Sequence, residues 1–172
     1  EMDAKRQLLP ADIEWHMIGH LQTNKVKLIA PYVSMIHSVD SAKLLGVINE
    51  QALKNNRVID ILFEVYVARE ESKHGWNEAE LVAYLHGGEF RGMQGVRVRG
   101  LMGVATFTDD EQVVRDEFMR LNGLFGRLRH DFFGPDFDTL SMGMSGDYLP
   151  AIACGSNMVR IGSLIFGVRN YA

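Results

Sequence analysis

Six short apolar runs punctuate the chain, at 13–18, 35–39, 58–67, 98–105, 139–143 and 158–161. They are β-branched or rich in Met and Leu, and nearly continuous rather than alternating. That pattern belongs to parallel strands covered on both faces. Between the runs the apolar positions fall into helical spacing. Over 41–55, Leu44, Leu45, Ile48 and Ala52 recur at helical steps, and Asp40 is expected to cap the helix start. Segment 77–86 opens with Asn77, Glu78 and Glu80, acidic chemistry suited to the positive end of a helix. Over 109–130, Val114, Phe118, Leu121, Phe125 and Leu128 make an amphipathic stripe. A shorter helix is expected over 147–154, with Pro150 in its first turn, where proline is tolerated. Residues 1–9 read as the last turns of a helix, so an upstream segment is expected. The glycine-rich stretch 87–95 reads as a loop before the fourth run.

Alternating strands and helices give an α/β fold with a parallel sheet. Two architectures compete: a doubly wound open sheet and a (β/α)8 TIM barrel. A barrel takes about 250 residues and eight units; 172 residues with six units would make an incomplete one. Polar and small residues gather at the ends of the runs: His20 with Gln22 and Asn24, Ser38 with Asp40, Glu71 with Ser72 and Lys73, Ser145, and Ser163. Both architectures build their sites at such strand ends.

Composition removes several function classes. The net charge is −4, from 18 basic and 22 acidic side chains, against the basic footprint of a nucleic-acid binder. No apolar stretch approaches the roughly 18 residues needed to cross a bilayer, and no signal-peptide pattern is visible. Cys154 is the single cysteine; it has no internal disulfide partner and fits a reducing cytoplasm. No CxxC or HExxH motif supports a metal site. The nine methionines, Met17, Met35, Met102, Met142 and Met144 among them, are explained by core packing.

Two strand-to-loop junctions carry the candidate chemistry. In Leu140 to Asp147 the strand end carries Ser145, whose hydroxyl, with the N–H groups of the helix that follows, suits a phosphate or serves as an ordinary helix cap. Met158 to Ser163 ends in Gly162, which permits close backbone approach, and Ser163, a second hydroxyl; the plain alternative is a strand-ending turn. Arg160, between Val159 and Ile161, either faces an aromatic nitrogen or forms a salt bridge. His16 shares a face with Ile18, opposite Trp15 and Met17, and either lines a pocket or is a satisfied core histidine. Asn24, Lys25 and Lys73 are either polar groups at the site's mouth or solvated side chains.

Six blocks stand in order along the chain: Trp15–Lys25, His37–Asp40, Glu71–Gly75, Arg99–Gly103, Leu140–Asp147 and Gly155–Gly162. Together they resemble the family of pyridoxal phosphate homeostasis proteins, over essentially the whole chain. The resemblance implies a (β/α)8 TIM barrel of the alanine racemase N-terminal type. In that family the first strand carries the Schiff-base lysine and the second a Phe-Gly-Glu-Asn block. Neither block is present, so the six runs would be strands three to eight of one domain spanning 1–172, with the first two strand–helix units absent. Lys25, Lys27, Lys43 and Lys73 stand in other blocks. The implied cofactor is pyridoxal 5'-phosphate, with Ser145, Gly162 and Ser163 at its phosphate, Arg160 at its ring nitrogen and His16 in the pocket. No catalytic residue and no metal are implied.

An arginine stays protonated and cannot protonate that nitrogen well, which leaves the ring a weaker electron sink than one paired with Asp. The implied function is therefore intracellular, cytoplasmic cofactor homeostasis: binding or carrying pyridoxal phosphate without robust turnover. The protein would be a monomer when full length, with no nucleic-acid or membrane partner. The alternative is a fold type III amino-acid racemase. Such an enzyme needs a second base, usually a tyrosine, and Tyr66, Tyr148 and Tyr171 match no such block. A third reading is a barrel without cofactor that works through protein contact.

Overall fold

Each of the six apolar runs becomes a strand in the computed structural model, which describes residues 2–68 and 75–167. The strands are β1 (His16–Met17), β2 (Met35–Val39), β3 (Ile59–Tyr66), β4 (Val96–Val104), β5 (Thr139–Met144) and β6 (Met158–Arg160). All pairings are parallel, and spatial order equals chain order, β1 through β6. A doubly wound sheet requires a point where strand order reverses. Among the described strands none exists, so the sheet is a singly wound barrel segment.

Curvature points the same way. His37 on β2 lies 3.1 Å from Ser141 on β5, although three inter-strand spacings separate them, about 14 Å across a flat sheet. Only a sheet curled into a half-barrel brings these side chains together.

Among the described residues seven α-helices flank the strands: α1 (Met2–Arg6), α2 (Val26–Ile29), α3 (Ala42–Lys54), α4 (Glu78–Gly87), α5 (Glu111–Leu128), α6 (Tyr148–Ala153) and α7 (Ser163–Phe166). Ser41, not Asp40, caps α3. Backbone at Ser41 is extended, and its Oγ accepts from the Leu44 N–H at 3.3 Å. Asp40 lies one residue too early and instead accepts from the Ser41 hydroxyl at 2.9 Å. Asn77 forms a full capping box with Glu80 at the start of α4, which ends at Gly88 with φ +76°. α5 continues into a π turn, Arg129–Phe133. That turn stacks Phe133 on Phe137, with centroids 4.6 Å apart.

Alternation sorts the strand residues. Ile61, Phe63, Val65, Leu101, Leu140 and Met142 face the helices and form one core with Leu45, Ile48, Leu81, Phe118 and Leu121. Met35, Leu62 and Met102 make a small second cluster with Met158, on the concave side. Both faces are filled, which explains the continuous hydrophobicity of the runs. β1 is shorter than its apolar run because Ile13 and Ile18 remain exposed and nothing described pairs with its other edge. At the opposite ends of the strands, Asp60 binds Arg97 and Arg99, and Arg99 binds Asp138. These ion pairs tie β3, β4 and the start of β5 together. Among the described residues no helix is long and apolar enough to cross a membrane.

Candidate functional site

Ser145 follows β5 and Gly162 follows β6, so adjacent strands deliver both to the same rim. The Ser145 Oγ accepts from the Gly162 N–H at 3.3 Å and from the Leu164 N–H at 3.4 Å. It does not cap α6: the residue at that start is Asp147, which makes no side-chain cap bond there. Asp147 instead accepts from the Met144 N–H at 2.5 Å, and this closes the turn that carries Ser145. The expected partnership of Ser145 with the α6 N–H groups is therefore replaced by one with the first turn of α7. Ser163 begins that turn and is exposed. A Cβ added at Gly146 or Gly162 would meet nothing within 4 Å, so the fold leaves this rim open. A hydroxyl beside convergent N–H groups at an open rim has the chemistry of an anion site.

Arg160 points into the concave side. One terminal nitrogen donates to the Ser141 carbonyl and to the Ser141 Oγ, each at 2.9 Å. The other donates to the Gly103 carbonyl at 3.0 Å. The salt-bridge alternative is replaced by bonds to neutral oxygens of β4 and β5. Burial lowers the Arg160 pKa, while Asp147 and Glu64 act in the opposite direction. The guanidinium remains charged.

A line of polar groups leads away from it. Ser141 Oγ is 3.1 Å from His37 Nδ1, and His37 Nε2 is 3.0 Å from His16 Nδ1. Burial, then His16 and Arg160, lower the His37 pKa from 6.5 to about 3. His16, half-buried, closes this line and also borders a cleft with Trp15, Ile18, His20 and Lys25. At the same rim His20 lies 3.7 Å from Asp40, and the Ser38 hydroxyl donates to the Gly19 carbonyl at 2.6 Å.

The structure thus brings Ser145, Gly162 and Ser163 together at the rim, with Arg160 and His16 on the concave side. Glu71, Ser72, Lys73, His74 and Tyr171 lie outside the described residues. His37 and Ser141, which complete this line of contacts, are not singled out individually by the sequence reading. Their signal was a polar side chain inside an otherwise apolar run, in a strand buried on both faces. Cys154 is buried as expected, its thiol 3.8 Å from the Arg115 carbonyl. Among the described residues no cluster of His, Cys, Asp or Glu could hold a metal ion.

The family model described as alanine racemase, N-terminal domain, matches residues 3–170. The chain is 37% identical over 161 residues to a pyridoxal phosphate homeostasis protein of Haemophilus influenzae, covering 94% of this chain and 67% of that protein. It is 42% identical over 163 residues to one of Aquifex aeolicus, covering 93% and 69%. Among solved structures it is similar to PipY of Synechococcus elongatus with pyridoxal phosphate bound. The TM-score is 0.82 at 30% identity, covering 96% of this chain and 75% of that one. The chain spans about two thirds of the length of these curated relatives.

Proposed function

The chain belongs to the family of pyridoxal phosphate homeostasis proteins, and from that membership we propose that it binds pyridoxal 5'-phosphate in intracellular homeostasis of the cofactor, without robust turnover. The donor set fits the group. The Ser145 hydroxyl and the Gly162 and Leu164 N–H groups would hold the phosphate, with the Ser163 hydroxyl on the same turn. Arg160 would face the ring nitrogen, and His16 would line the pocket. The meeting of Ser145 with the first turn of α7, one strand from Arg160, carries this reading.

When bound, the cofactor supplies an aldehyde and an electron-accepting ring. The residues bind and orient it. Ser145 and the α7 turn fix the phosphate end, and Arg160 donates a hydrogen bond at the ring end. Because the guanidinium keeps its proton, Arg160 favours holding the ring over activating it.

In the same reading, β1–β6 are strands three to eight of an eight-stranded barrel. They form one cofactor-binding domain over 1–172, and the covalent lysine lies on a preceding unit of the longer chain. The protein is then cytoplasmic and monomeric at full length. Mass spectrometry of the intact natural protein tests this arrangement: a mass equal to the 172-residue chain alone would contradict it.

Ser145→Ala in the full-length protein is expected to weaken pyridoxal phosphate binding about tenfold, read by absorbance titration. Unchanged affinity would remove Ser145 from the site. Sustained racemisation of alanine or serine by the full-length protein would overturn the carrier reading in favour of a fold type III racemase.

A further inference from the structure

We propose that His37 is a positioning residue for Arg160: through Ser141 it fixes the guanidinium that faces the ring nitrogen, and it does so as the neutral Nε2–H tautomer. The inference rests on the assignment of Arg160 given above. The hydrogen bonds described for His37 go to His16 and Ser141, not to Ser145 or Gly162.

Hydrogen accounting sets the direction of the chain. Ser141 is fully buried, and its Oγ accepts from Arg160 at 2.9 Å. A serine hydroxyl has one hydrogen to donate, and a buried donor without an acceptor is costly. The acceptor within reach is His37 Nδ1, at 3.1 Å. If Nδ1 carried a hydrogen, the serine proton would have no partner in this contact. Nδ1 therefore accepts, Nε2 carries the ring hydrogen, and Nε2 donates to His16 Nδ1 at 3.0 Å. The donors run one way, from Arg160 to Ser141 to His37 to His16.

Two of the three anchors on Arg160 are backbone carbonyls, of Ser141 and Gly103. The third is the Ser141 hydroxyl, whose orientation His37 determines. A second positive charge on His37 would reverse the serine and repel the guanidinium. The surroundings oppose that charge: burial first, then His16 and Arg160. Glu64 on β3 and Asp147 before α6 interact with Arg160, and Leu62 and Met102 fill the concave side between β2 and β5. A fixed guanidinium beside a neutral His37 holds a hydrogen-bond donor in register with a ring nitrogen, where small misplacements are expensive.

The test uses the full-length protein, with pyridoxal phosphate as the probe and three variants. His37→Leu removes both ring nitrogens. Ser141→Ala removes the link and leaves His37 in place. His37→Asn retains an oxygen that can accept the serine hydrogen. The first two are expected to weaken binding about tenfold and to shift the absorbance band of the bound cofactor. His37→Asn is expected to restore affinity to within about threefold of the parent and to return the band. A purely structural role would lower the melting temperature and leave the band unmoved, which would overturn the proposal. Should His37→Leu fail to fold, Ser141→Ala decides by the same criteria.

A second readout does not need the cofactor. Nitrogen-15 spectra of the histidines in cofactor-free protein are expected to show His37 with its hydrogen on Nε2 and no titration from about pH 5 to 8. An Nδ1–H tautomer, or titration in that range, would overturn the proposal. If the parent protein binds no pyridoxal phosphate, the functional reading fails by itself, and these spectra still decide the hydrogen-bond chain.

Discussion

Gly100→Ala is expected to cost the full-length protein at least about 3 kcal/mol of stability, or to prevent folding. A Cβ at this position would lie 1.7 Å from the Thr139 carbonyl oxygen and 2.7 Å from its carbon. Both atoms are backbone of the adjacent strand, in the pair where Gly100 sits opposite Thr139. No rotamer change relieves that overlap; β4 and β5 must separate. Separation would also disturb Ser141, two residues along β5, and so the anchoring of Arg160. Gly103 offers a control, since its Cβ would meet the Leu121 Cδ2 at 2.6 Å, the end of a flexible side chain. Urea denaturation of both variants measures the contrast. A Gly100→Ala protein within about 1 kcal/mol of the parent would contradict the strand register described for β4 and β5.

Acid is expected to destabilise the protein in a window set by His37. Its folded pKa is lowered from 6.5 to about 3 by burial first, then by His16 and Arg160. The unfolded chain therefore takes up a proton below about pH 6.5 that the folded chain refuses. Stability is fully present above that pH and falls as the pH drops toward the folded pKa. By pH 4.5 the loss amounts to about 2 to 3 kcal/mol. Asp138 also has a lowered pKa, chiefly through its hydrogen bond from Arg99, but its contribution is lost only in the more acidic carboxylate range. Denaturation midpoints from about pH 7 down to 4.5, compared between parent and His37→Leu, isolate the histidine. A parent protein with the same pH slope as the variant would contradict a neutral, buried His37.

Much of this organisation is legible in the chain. The run at 35–39 coincides with β2 (Met35–Val39), because five consecutive buried residues leave little choice of boundary. The stripe from Val114 to Leu128 is buried as predicted except at Phe125, which is partly buried and packs against that core. The Asn77 start of α4 is a capping box with a clear local signature. Local chemistry misled at Asp40, where a neighbouring serine offered the better-placed hydroxyl.

Curvature was not legible, since parallel strands in either competing architecture carry the same apolar runs. Ser145 and Arg160 were recognised from ordered blocks, but their partners depend on closure. The contact of His37 with Ser141 spans 104 residues, and no local pattern encodes it. Gly100 likewise appeared only as part of a block; its reason is the close approach of a strand about 40 residues later.

Equilibrium titration of the full-length protein with pyridoxal phosphate, set beside titration with pyridoxal, tests the proposed site most directly. The two ligands differ by the phosphate that Ser145, Gly162 and Leu164 are placed to hold. Saturable binding of pyridoxal phosphate is expected, with pyridoxal weaker by about 100-fold as several charge-assisted hydrogen bonds are lost. Equal affinity for the two ligands, or no saturable binding of pyridoxal phosphate, would contradict the assignment.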